Sequence, residues 1–98
     1  MNSVARLEAW YRAQCDGTWE HQHGVHIDTL DNPGWSVKID LVGTPLLARE
    51  FQAIDLSDPS DASWLYCRKQ AGVFEGFGSP NRLDAILTLF LDWAEFHS

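Results

Sequence analysis

Two runs of alternating residues, separated by a short stretch of turn chemistry, constrain this chain more than any other feature. In the first run Val25, Ile27 and Thr29 alternate with His26, Asp28 and Leu30. In the second Trp35, Val37, Ile39 and Leu41 alternate with Ser36, Lys38 and Asp40. A period of two sends successive side chains to opposite faces, which is the pattern of a half-buried strand. Between the runs lies Asp31-Asn32-Pro33-Gly34. Pro presets φ and Gly accepts a positive φ, so the segment predicts a type II turn closing a β-hairpin. One face of that hairpin must then be covered by a second layer.

Two helical patterns can supply the cover. Over residues 3–15, Val4, Leu7, Tyr11 and Cys15 fall on one stripe, with Asn2 or Ser3 as the cap and Gly17 as the stop. Near the other end, Ser79-Pro80 reads as N-cap and first helical residue. It is followed by a stripe of Leu83, Ile86, Leu87, Phe90, Ala94 and His97, with Trp93 at its edge. Leu89 and Phe96 fall on a flank of this helix, which carries more apolar surface than one buried face needs, so a homodimer through Leu89 and Phe96 is a possible use.

More strands fit between. A third is expected at about 47–56, with Phe51 and Ala53 on one face. Ser57-Asp58-Pro59-Ser60-Asp61 reads as a surface loop. Residues 63–70 alternate Trp64 and Tyr66 with Leu65 and Cys67, apolar on both faces, as an interior strand would be. Val73 to Phe77 suggests a short fifth strand among Gly72, Gly76 and Gly78. The expected fold is α+β: an antiparallel four- to five-stranded, meander-like sheet flanked by an N-terminal and a C-terminal helix. With 98 residues it forms one domain spanning 1–98.

Charge narrows the function. Seven Lys and Arg against fourteen Asp and Glu give a net charge of −7. Phosphate binding needs a basic footprint, so nucleic acid is not the expected partner; a basic protein is. Arg6, Glu8 and Arg12 interrupt any signal-peptide core, and no apolar run is long enough to span a bilayer. A soluble cytoplasmic protein with two reduced thiols, Cys15 and Cys67, is expected.

Three chemical readings compete. His21, His23 and His26 invite a metal site, but no paired ligand spacing supports one, and a polar loop entering a strand accounts for them. Cys67-Arg68-Lys69-Gln70-Ala71-Gly72 faintly resembles a sulfurtransferase loop, yet Cys67 sits in a strand pattern with no helix following. No catalytic residue, cofactor or metal is therefore expected. The alternative is a small cytoplasmic enzyme, a sulfurtransferase or metal-dependent hydrolase, using Cys67 or the His21 and His23 region. The third reading is a binding surface. Trp19 and Trp35 lie at element edges beside carboxylates, as aromatic anchors of interfaces do.

Several segments carry a resemblance. Cys15-Asp16-Gly17-Thr18-Trp19-Glu20-His21 and Thr29-Leu30-Asp31-Asn32-Pro33-Gly34-Trp35 are the most specific, and Trp10-Tyr11, Trp64, Cys67, Phe74-Gly76-Gly78 and the last helix continue it. In these the chain resembles the immunity protein 53 family of bacterial polymorphic toxin systems. The resemblance implies a small protein made beside a toxin, which protects the producing cell. It implies a cognate toxin domain as partner and supplies no contact residues. The residues themselves nominate an acidic, aromatic-containing surface of Asp16, Trp19, Glu20, His21, Asp28, Asp31, Trp35 and Asp40.

Overall fold

The computed structural model describes residues 2–60 and 62–95. Helix α1 (Ser3–Gln14) leads through a short α2 (Trp19–Gln22) into β1 (Val25–Leu30) and β2 (Gly34–Asp40). A single 3-10 turn over Pro45–Ala48 precedes β3 (Ile54–Asp58), β4 (Ser63–Gln70), β5 (Val73–Gly78) and α3 (Leu83–Glu95). All five strands join one antiparallel sheet in the order β1-β2-β5-β4-β3. The architecture is the expected α+β. The sheet is a hairpin, β1–β2, laid against a three-strand meander, β3–β4–β5, so β2 neighbours β5 rather than β3. No described helix is long and apolar enough to cross a membrane.

Register assigns the faces. Paired residues share a side, so Val25 and Ile27, Val37 and Ile39, Phe74, Leu65 and Cys67, and Ile54 and Leu56 form one face. The helices cover it. Val37, Ile39, Phe74 and Cys67 are fully buried there, against Ile86, Leu87, Phe90 and Leu91 of α3 and Leu7 of α1. The opposite face carries His26, Asp28, Ser36, Lys38, Glu75, Phe77, Trp64, Tyr66 and Arg68.

Strand β5 is the centre of the sheet, and its glycines are what admit α3. A Cβ on Gly76 would run into Ile86 Cγ2, and one on Gly78 would stand 2.9 Å from Arg82 Cβ. Bare backbone at these two positions lets the helix lie directly on the strand.

Four sequence expectations are corrected. First, the hairpin turn is not type II. The Asn32–Pro33 bond is cis, and Gly34, without a positive φ, is the first residue of β2. Cis-Pro at the third turn position belongs to a type VI turn, and Gly34 is needed for closeness: a Cβ there would overlap Gly78 O.

Second, α1 buries Ser3 and Leu7 and half-buries Trp10, while Val4 is 57% and Tyr11 39% exposed. Polar contacts to α3 set this rotation. Ser3 Oγ donates to Asp84 Oδ1 at 2.5 Å, and Arg6 donates to Asp92 and Glu95 at 2.9 and 2.8 Å. Asn2 is the N-cap, accepting from Ala5 N at 2.8 Å.

Third, residues 47–53 are not strand, and β3 takes in Ser57 and Asp58. The connection is held by side chains instead. Lys69 Nζ donates to the carbonyls of Leu46, Leu47 and Arg49, at 3.2, 2.6 and 2.6 Å. Arg49 Nη1 donates to Trp93 O at 2.8 Å, and Trp93 Nε1 to Glu50 O at 2.8 Å.

Fourth, Ser79 does not cap α3, which begins at Leu83. Ser79 is buried, its Oγ accepting from Trp64 N at 3.1 Å, so it fastens β4 to the end of β5. Phe96 and His97 lie outside the described residues.

Candidate functional site

The loop after α1 is built by two carboxylates that cap the peptide N–H groups of one turn from its two ends. Asp16 Oδ1 accepts from Thr18 N and Trp19 N, both at 2.9 Å. Glu20 reaches back to accept from Asp16 N at 2.9 Å and Gly17 N at 2.8 Å. This is the reciprocity of a capping box, and Gly17 at φ +93° makes the tight reversal it requires. The hydrogen bonds favour the charged forms. Those from Trp19 and Thr18 hold the Asp16 carboxyl below its usual range. Glu20 is lowered by its own backbone N–H first, then by those of Asp16 and Gly17.

Trp19 is the pin of this loop. It is 5% exposed, its Nε1 donates to Val42 O at 2.8 Å, and its ring meets Trp10 edge-on with centroids 6.1 Å apart. Gly43, at φ +81°, passes beneath it. The side chain is therefore core, which corrects its nomination as an exposed anchor. Trp35 is half-buried on the helix side, its Nε1 donating to Pro80 O at 2.9 Å.

The remaining nominated residues lie along the β1–β2 side. Asp28 is exposed on the open face opposite Ser36, and Asp31 is exposed at the hairpin tip. Asp40 lies at the far end of β2, on the same face as Asp28 but roughly 13 Å along the strand. Asp40 Oδ2 accepts from Gly24 N at 2.9 Å and stands 3.9 Å from His23 Nδ1 and 4.0 Å from His26 Nε2. The three histidines do not gather at one point: α2 carries exposed His21 away, and His23 and His26 flank Asp40. Among the described residues no group of three or more His, Cys, Asp or Glu is placed to hold a metal ion. The site divides into a loop end, Asp16, Glu20, His21 and Asp40, and a hairpin end, Asp31 and Trp35. Strand β1, with Asp28, connects them.

The cysteine reading loses its chemistry. Cys67 is fully buried beneath Gly76, and burial pushes its thiol up to about 12, so it stays protonated at neutral pH. Cys15 is half-buried and donates to Tyr11 O at 3.3 Å.

The open face holds a feature that the sequence reading left unused. Tyr66 pairs with Phe77 across β4 and β5, with half-buried Trp64 nearby on the same face. Arg68 covers the Tyr66 ring at 6.0 Å and donates to Glu75 at 2.6 Å. The signal was the apolar residues on both faces of 63–70: one set fills the core and the other is left over. Leu89, the flank residue, lines a separate groove with Leu56 of β3, which is 58% exposed.

A family model described as immunity protein 53 matches residues 4–95. No curated protein and no solved structure matches the chain.

Proposed function

As the chain belongs to the immunity protein 53 family, we propose that it neutralises a cognate bacterial toxin of a polymorphic toxin system by binding it in the cytoplasm of the producing cell. The observation that carries the reading is the family match over nearly the whole chain. The role is binding rather than catalysis, a reading supported by the protonated, buried Cys67.

The proposed surface is the β1–β2 side, with Asp28 and Asp31 as its exposed carboxylates and Asp16, Glu20, His21 and Asp40 at its loop end. Trp19 and Trp35 hold this surface from behind. An acidic inhibitor suits a toxin with a basic cleft, where opposite charge raises the encounter rate.

Purification of the chain with the toxin domain encoded beside its gene tests the reading. A stable complex, together with rescue of growth when the two are expressed together, supports it. A toxin that stays active and unbound overturns it.

A further inference from the structure

Strand β1 is an edge strand: among the described residues, β2 is its one neighbour in the sheet. Asp40 N donates to Gly24 O at 3.1 Å, which fixes the phase of the ladder. Antiparallel pairs alternate, so His26, Asp28 and Leu30 turn their peptide groups to β2. Val25, Ile27 and Thr29 turn theirs outward. Natural edges are commonly blunted by lysine, proline or a bulge. The β1 sequence Val-His-Ile-Asp-Thr-Leu has no lysine or proline and pairs with β2 without a bulge. The opposite edge, β3, is shorter, carries Asp55 and Asp58 and ends at Pro59.

Beside this edge runs an apolar groove of about 330 Å³ between α1 and β1, lined by Val4, Leu7, Tyr11 and Val25 with Glu8 at its rim. It exists because α1 is rotated to satisfy Ser3 and Arg6 on α3, which leaves Val4 and Tyr11 facing β1. Ile27 is 40% exposed on the same side of the sheet. A strand added to β1 would send every second side chain toward this groove, the arrangement of strand-addition recognition.

Charge selects the occupant. The groove lining and β1 together hold Glu8 and Asp28 and no lysine or arginine. Asp16 and Glu20 stand at one end and Asp31 at the other. We infer that β1 receives an extended segment of the cognate toxin as a sixth strand. That segment is basic overall, with apolar residues at alternate positions entering the groove. This rests on the immunity reading and adds to it the mode of binding. A second copy of this chain is disfavoured as the occupant, because it brings another charge of −7.

The test uses the full chain and the purified toxin domain, with amide hydrogen exchange and binding measured together. In the complex, the amides of Val25, Ile27 and Thr29 should become protected. Ile27→Pro removes one outward N–H and no ladder bond to β2, and should weaken binding by at least about tenfold. Ile27→Thr, which keeps the N–H, should bind more tightly than Ile27→Pro, and Leu56→Asp on the other edge should bind as wild type does. Unchanged exchange in β1 within a formed complex, or wild-type affinity for folded Ile27→Pro, overturns the strand addition and leaves the immunity reading intact. If Ile27→Pro does not fold, the exchange measurement on wild type decides alone. No complex with the wild-type chain overturns both readings. Protection of the same amides in a toxin-free dimer assigns the edge to a second copy and overturns this inference.

Discussion

Gly34 of β2 and Gly78 of β5 approach until nothing fits between them: a Cβ on Gly34 would overlap the carbonyl oxygen of Gly78. The hairpin is joined to the meander along this seam, and only a residue without a side chain closes its end. Gly34→Val should therefore cost about 1–3 kcal/mol, as overpacking does. Denaturant unfolding measures it. A midpoint equal to wild type would show that the strands separate there without penalty.

Trp19 gives a second expectation. Trp19→Ala removes a large buried ring and its bond to Val42 O, so stability should fall by about 3 kcal/mol. The affinity of the folded fraction for the toxin should stay close to wild type. Thermal unfolding and binding kinetics on the same variant separate the two. A loss of affinity at unchanged stability would return Trp19 to the interface.

The reciprocal cap makes the loop acid-sensitive. Asp16 and Glu20 both titrate below their ordinary values of 3.8 and 4.5 in the folded chain. Depressed carboxyl pKa values contribute stability that is present above those values and lost as pH falls through the folded ones. Glu20→Gln should flatten the fall in stability below pH 4.5. Unfolding midpoints followed downward from neutrality check this, and a variant with the same acid profile as wild type would refute it.

Binding should depend on charge at the hairpin. Reversing Asp28 and Asp31 to Lys should slow association with the toxin by about tenfold at low salt and much less at high salt. Stopped-flow association across a salt series reads this directly. Equal rates for variant and wild type at every salt concentration would move the interface off the β1–β2 side.

What was legible in the sequence follows from where each element draws its order. The hairpin strands and β4 show their period of two because their apolar residues alternate onto the helix-covered face, and their bounds read off closely. The segment before β3 misled for the opposite reason. Phe51 reaches the core against Phe74 and Trp93 and so looks like a strand residue, yet the backbone just before it is held by side chains from distant parts of the chain, Lys69 at Arg49 O and Trp93 at Glu50 O. Trp19 misled similarly. Its neighbours are polar and acidic, but its indole bonds to a carbonyl 23 residues away. The acidic character of the β1–β2 side was legible residue by residue. The free edge of β1 was not, because strand order is a property of the whole sheet.

Four of the chain's seven cationic side chains are tied down: Arg6 on Asp92 and Glu95, Arg68 on Glu75, and Arg49 and Lys69 on main-chain carbonyls. Asp92, Glu95 and Glu75 are thereby balanced locally, whereas Asp16, Glu20, Asp28 and Asp31, like Asp55 and Asp58 on the opposite edge, make no ion pair with a lysine or arginine among the described residues. Those first four carboxylates are left to act outward, on whatever approaches the β1–β2 side. In the field of a cation-rich body such a molecule experiences a torque as well as a pull. If the toxin docks on the β1–β2 side as proposed, these carboxylates turn that side toward it before contact, and fewer collisions are wasted on the wrong orientation.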